Sequence, residues 1–120
     1  MKHNFKELNI WKDAVQNAIL TYGICKNFPK EELFGLTSQM KRASVSIPSN
    51  IAEGCGRGTD AQLIHFLDIS LGSSCELETQ IIIAEDIKII DPKESEKWLF
   101  NLSSLQKGIR TFRDKLANTG

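Results

Sequence analysis

SQMKRASVSIPSNIAEGCGRG, residues 38–58, is the stretch on which the fold turns. It reads as a helix, yet Arg42, Ser46, Asn50, Glu53 and Arg57 recur at steps of four, four, three and four. That spacing lines them up along one helical face. Pro48 falls in the middle, where it removes a backbone donor and predicts a kink. Beside the polar line runs an apolar one: Leu33, Leu36, Met40, Ala43, Ile47, then Asn50 and Gly54. Gly54-Cys55-Gly56-Arg57-Gly58 is dense in glycine and marks the end of the helix.

The same three-four spacing continues on both sides. Leu8, Trp11, Val15, Ala18, Tyr22 and Cys25 form a seam that stops before Phe28-Pro29, since proline disfavours a helical residue ahead of it. Downstream, Thr59 or Asp60 is placed to cap a third helix. Its seam is Leu63, Phe66, Ser70, Ser73, Leu77, Gln80, Ala84 and Ile87, and the small centre around Gly72 predicts close approach by another helix. Asp91-Pro92 is an N-cap followed by proline at the first helical position. A fourth seam follows: Trp98, Leu102, Leu105, Ile109, Phe112 and Leu116.

Four helices of roughly 20 to 28 residues, each about 30 to 40 Å long, are expected. Short connections make sequential helices antiparallel. The predicted architecture is all-α: an antiparallel up-down-up-down four-helix bundle, residues 1–120, in a single domain. Ile10, Ile19, Leu20 and Ile24 lie off the first seam, and Leu67, Ile82 and Ile83 lie off the third. Apolar residues on the wrong side of a seam predict self-association.

Composition narrows the function classes. Hydrophobic residues make up 41% and charged residues 25%, and the formal net charge is zero. Overall charge therefore points to neither nucleic acid nor membrane. Locally it is uneven: residues 1–30 hold five Lys/Arg against two acids, residues 61–90 one against five, and residues 91–120 six against four. Cys25, Cys55 and Cys75 are an odd, widely spaced set with no CxxC pair, and His3 and His65 complete no zinc pattern. No cofactor or metal is expected. The N-terminus lacks a signal-peptide core, and Ile81-Ile82-Ile83-Ala84 is too short to span a bilayer, so a cytoplasmic location is expected.

Enzyme chemistry finds no support. Glu76 and Glu78 point to different faces, no Glu-x-x-His motif is present, and Ser46 and Cys55 have no histidine nearby in sequence. The glycines at 54, 56 and 58 end a helix and lack the Lys-Ser/Thr of a phosphate loop. The candidate contacts are Lys41, Arg42, Ser46, Asn50, Glu53, Arg57 and Glu76. In one reading Arg42, Asn50, Glu53, Glu76 and Gln80 form a polar network that specifies helix register and assembly. In the other, Lys41, Arg42 and Arg57, with Arg110 and Arg113, bind phosphate, for which the planar fork of arginine is suited.

The run from Leu36 to Gly54, LTSQMKRASVSIPSNIAEG, resembles the signature of the 23S rRNA-intervening-sequence protein family, also called four helix bundle proteins. Leu8, Trp11, Phe28-Pro29, Glu32, Gly35, Arg57, Phe66-Leu67, Gly72-Ser73 and Glu76-Leu77-Glu78-Thr79-Gln80 extend the resemblance over residues 5–90. The resemblance implies a bacterial four-helix bundle assembled into a ring, a homopentamer. It also implies an association with RNA, since some members are encoded within sequences that interrupt 23S rRNA genes. A more distant likeness is to the accessory variability determinant of diversity-generating retroelements, a pentameric bundle that engages nucleic acid and a reverse transcriptase. The expected partners are therefore further copies of the chain, RNA or another nucleic acid, or a protein.

Overall fold

The computed structural model describes residues 3–119. Four helices account for most of them: α1 (Asn9–Cys25), α2 (Leu36–Cys55), α3 (Asp60–Asp86) and α4 (Pro92–Thr119). Single 3-10 turns at Phe5–Glu7 and Lys30–Glu32 precede α1 and α2. Each helix packs on its neighbours in sequence, and α1 closes the bundle against α4. The body is elongated, 46 × 23 × 20 Å, because all four helices share one long axis. The expected bundle is present. At 17 residues, α1 is shorter than anticipated.

The helix boundaries follow from local chemistry. The Thr59 hydroxyl accepts a hydrogen bond from Gln62 N at 3.2 Å, which caps α3. Gly58, at φ +92°, turns the chain between α2 and α3 in the left-handed region that favours glycine. At the far end of α3, Ile89 N donates to Ala84 O and Lys88 N to Glu85 O, the paired bonds of a Schellman stop. Lys88 takes the left-handed position there at φ 65°. Asp91 accepts a side-chain bond from Lys93 N at 3.0 Å and opens α4 on Pro92.

The core joins Met40, Ala43, Ile47 and Ile51 of α2 to Leu63, Leu67, Leu77 and Ile81 of α3 and to Trp98, Leu102 and Ile109 of α4. Two residues assigned to outer faces belong to this core: Ile24 is 6% exposed and Leu67 fully buried. Others assigned to seams are exposed, namely Tyr22, Leu33 and Ile87. Each helix touches two neighbours, so its buried arc is wider than a single three-four seam and is centred to one side of it. Gly72 also departs from expectation. It lies on the outside of α3, with nothing within 4 Å of where a Cβ would stand.

Ser70 and Ser73 of that small centre do meet α2, but the glycine that a close contact requires is Gly54. A Cβ there would sit 2.8 Å from Phe66 Cβ and 2.9 Å from Leu63 Cδ1. Only a bare backbone lets the end of α2 meet the start of α3, and α2 runs unbroken through Pro48 to reach that point. Gly54→Ala is therefore expected to lower stability by about 1 to 3 kcal/mol, despite the better helix propensity of alanine. Urea unfolding of the variant against wild type checks this.

Candidate functional site: the polar stripe and the basic outer helix

The α2–α3 contact carries the polar stripe. Asn50 Nδ2 donates to Ser46 O at 2.8 Å and to Ser46 Oγ at 2.9 Å. Ser46 Oγ in turn lies 2.8 Å from Ser73 Oγ across the helix interface. One step deeper, Ser70 Oγ donates to Ile47 O at 2.9 Å, at the peptide that precedes Pro48. Small hydroxyl side chains suit this position because they allow close helix packing while meeting each other's hydrogen-bonding needs.

Beyond this cluster the stripe reaches solvent. Glu53 and Arg57 form an ion pair at 3.1 Å with both side chains about half exposed, 52% and 48%. The Arg57 guanidinium also lies 5.0 Å over the Phe66 ring. An exposed pair of this kind contributes only about 0.2 to 1 kcal/mol. Lys41 stacks over Tyr22 at 5.0 Å. Arg42 and Glu76 are exposed and make no hydrogen bond or ion pair among the described residues. Thus Ser46 and Asn50 come together and Glu53 joins Arg57, while Arg42, Glu76 and Gln80 stay outside any shared network within one copy. Gln80 is buried, and its Oε1 accepts no bond among the described residues.

Elsewhere, polar side chains pair α3 with α4. Arg113 grips Asp68 through two bonds, Nε to Oδ1 at 2.8 Å and Nη2 to Oδ2 at 3.3 Å. Gln106 Nε2 donates to Ser74 Oγ and to Glu78 Oε1, and Ser95 Oγ donates to Glu85. Arg113 is therefore engaged by a surface carboxylate of α3.

The outer face of α4 was not singled out by its sequence. Lys93, Lys97, Phe100, Ser104, Lys107, Thr111 and Lys115 recur at steps of three and four, and all are exposed. Phe100 is 72% exposed, in a shallow depression with Lys93, Lys97, Asn101 and one carboxylate, Glu96. None of these lysines is within ion-pair distance of an acid among the described residues. The available signal is an aromatic residue on the face opposite the α4 seam, on a line of lysines.

Burial raises the thiol pKa of Cys25 and Cys55, with Lys41 opposing the shift at Cys25. Both thiols are held further from the nucleophilic thiolate than a free cysteine is. Among the described residues no cluster of His, Cys, Asp and Glu is arranged to hold a metal, and no helix is long and apolar enough to cross a membrane.

These features define a class: a small all-α bundle whose second and third helices meet through a polar, small-residue seam. A family model described as 23S rRNA-intervening sequence protein matches residues 6–111, and the chain belongs to that family. No curated protein matches it. Among solved structures it is similar to a protein of unknown function from the S23 ribosomal protein family of Bacteroides thetaiotaomicron VPI-5482, known at 1.70 Å resolution. That likeness has a TM-score of 0.82 at 20% identity and covers 88% of this chain and 95% of the other. At such identity the likeness is one of fold.

The Ser46–Ser73 bond generates a thermodynamic test. Ser46→Ala and Ser73→Ala are each expected to cost about 0.5 to 1.5 kcal/mol. The double variant should lose less than the sum, with a coupling of at least about 0.5 kcal/mol. Urea denaturation of the four proteins in a double-mutant cycle measures it.

Proposed function

We propose that this chain is a non-enzymatic cytoplasmic bundle that assembles with copies of itself into a ring, a homopentamer, and binds RNA through a basic face. The observation that supports RNA binding is the outer line of α4: four exposed lysines with Phe100 among them. Lys93 to Lys115 spans about 33 Å at about 1.5 Å per residue, enough to follow several phosphates. Ammonium groups without carboxylate partners are available to displace condensed counterions. An exposed aromatic ring adds a stacking surface for an unpaired base, worth about 1 to 3 kcal/mol. Lys41 and Arg57, each stacked on an aromatic ring, and Arg113, held by Asp68, are less free to serve.

Fluorescence anisotropy with a structured RNA carrying single-stranded loops tests the proposal. Affinity should fall steeply with salt, and replacing Lys93, Lys97, Lys107 and Lys115 with Glu should abolish binding. Phe100→Ala should weaken it by about 5- to 150-fold, the equivalent of one stacked base. Absence of salt-sensitive binding at low ionic strength ends this reading.

A second reading rests on the Ser46–Asn50–Ser73 cluster, whose polar groups satisfy one another. Here the chain is a protein-interaction scaffold, and the α2 stripe serves only to specify assembly. Arg42→Ala or Glu53→Ala should then shift the oligomer seen by light scattering or lower its melting temperature. If both variants stay assembled and equally stable yet no longer bind RNA, the scaffold reading is excluded.

A further inference from the structure

A groove of about 480 Å³ runs between α1 and α2, lined by Val15, Ile19, Tyr22, Val45 and Pro48. Ile19 is 59% exposed, and Tyr22 and Val45 are each exposed by more than two-fifths. Lys26 is the charged residue that lines it, and Lys41, stacked on Tyr22, stands at its border. A surface so apolar, edged by cations, calls for an apolar partner that carries acid.

The outside of α3 has that character. Ile69, Gly72, Glu76 and Ile83 recur at steps of three, four and seven, so they form one exposed line. α3 contains no Lys or Arg and six carboxylates. Asp68, Glu78 and Glu85 are engaged by α4, whereas Glu76 has no partner among the described residues. Gly72 in the middle of this line is bare, with no atom near its missing Cβ. A mid-helix glycine costs about 1 kcal/mol of helix propensity, and no close packing among the described residues requires it.

The two surfaces also share a level along the bundle. The Ser46–Ser73 and Ser70–Ile47 bonds set Val45 and Pro48 beside the turn that holds Ile69 and Gly72. One turn along the same antiparallel pair, Glu76 comes level with Lys41.

We infer that the α1/α2 groove of one copy receives the Ile69–Gly72–Glu76 line of a second copy, with Gly72 as the point of closest approach and Glu76 paired to Lys41. The inference rests on the self-association proposed above and names the surfaces that perform it. Groove and ridge occupy different faces of the same chain, so the contact is head-to-tail. Such a contact, repeated, builds a ring or an open series rather than a two-fold dimer.

Gly72 makes the test selective, because a Cβ there would meet no atom within 4 Å among the described residues of its own protomer. Wild type, Gly72→Leu, Lys41→Glu, Glu76→Lys and the double charge reversal are compared by size-exclusion chromatography with light scattering and by far-ultraviolet circular dichroism. Gly72→Leu is expected to keep the helical spectrum and to lose at least tenfold in self-association. Each single charge reversal should weaken assembly, and the double reversal should restore it. A Gly72→Leu protein of wild-type mass, or a double reversal no better than the singles, overturns this assignment of faces while leaving self-association standing. A wild type that stays monomeric at tens of micromolar overturns self-association itself.

Discussion

The close approach of α2 and α3 is the constraint on which the rest of the bundle depends. It has a bare end, where Gly54 leaves room for Leu63 and Phe66. It has a polar middle, where Ser46 bonds to Ser73 and Ser70 to the Ile47 carbonyl across the interface, with Asn50 holding Ser46 from within α2. Larger side chains at these positions would push the helices apart, and apolar ones would leave neighbouring hydroxyls and carbonyls unpaired. With this pair locked, Met40, Ile47, Ile51, Leu63, Leu67 and Leu77 form a surface onto which α4 and α1 pack.

Charge is divided among the helices accordingly. α3 carries the carboxylates, and α4 answers them on its inner side through Arg113, Gln106 and Ser95. What remains on the outer side of α4 is a set of lysines that form no ion pair among the described residues. A chain of zero net charge therefore presents a lysine line on α4, because the acids of that helix, Glu94, Glu96 and Asp114, stand beside the line rather than in ion pairs with its lysines. Net charge describes the whole molecule, whereas partners meet only the part of it that points outward.

Much of the fold was legible in local sequence. The Thr59 cap, the Asp91-Pro92 start and the glycine-rich end of α2 lie where the residues placed them, because capping depends on groups only two or three positions apart. The fourth seam follows the three-four pattern closely, whereas the second includes the exposed Leu33 and leaves out the buried Ile51. The first and third were harder to read: Ile24 and Leu67 are core residues that a single seam leaves out. A helix wedged between two neighbours buries a wide arc, and the direction of that arc depends on both of them. Of the candidate contacts, Ser46 with Asn50 and Glu53 with Arg57 could be paired from spacing alone, since they are helical neighbours. Ser73 as their partner, and the isolation of Arg42 and Glu76, depend on how α3 is rotated and staggered against α2.

The sequence by itself determined that this protein is a four-helix bundle of the 23S rRNA-intervening sequence protein family, because helical periodicity and caps are local and the 36–54 motif is contiguous. Tertiary structure alone decided which surfaces stay open. Gly72, in the small-residue centre of α3, faces outward, and Gly54 takes the close packing inside. The physical reason is that exposure is a property of neighbours: a residue's face is set by its own helix, but what covers that face is set by the other three.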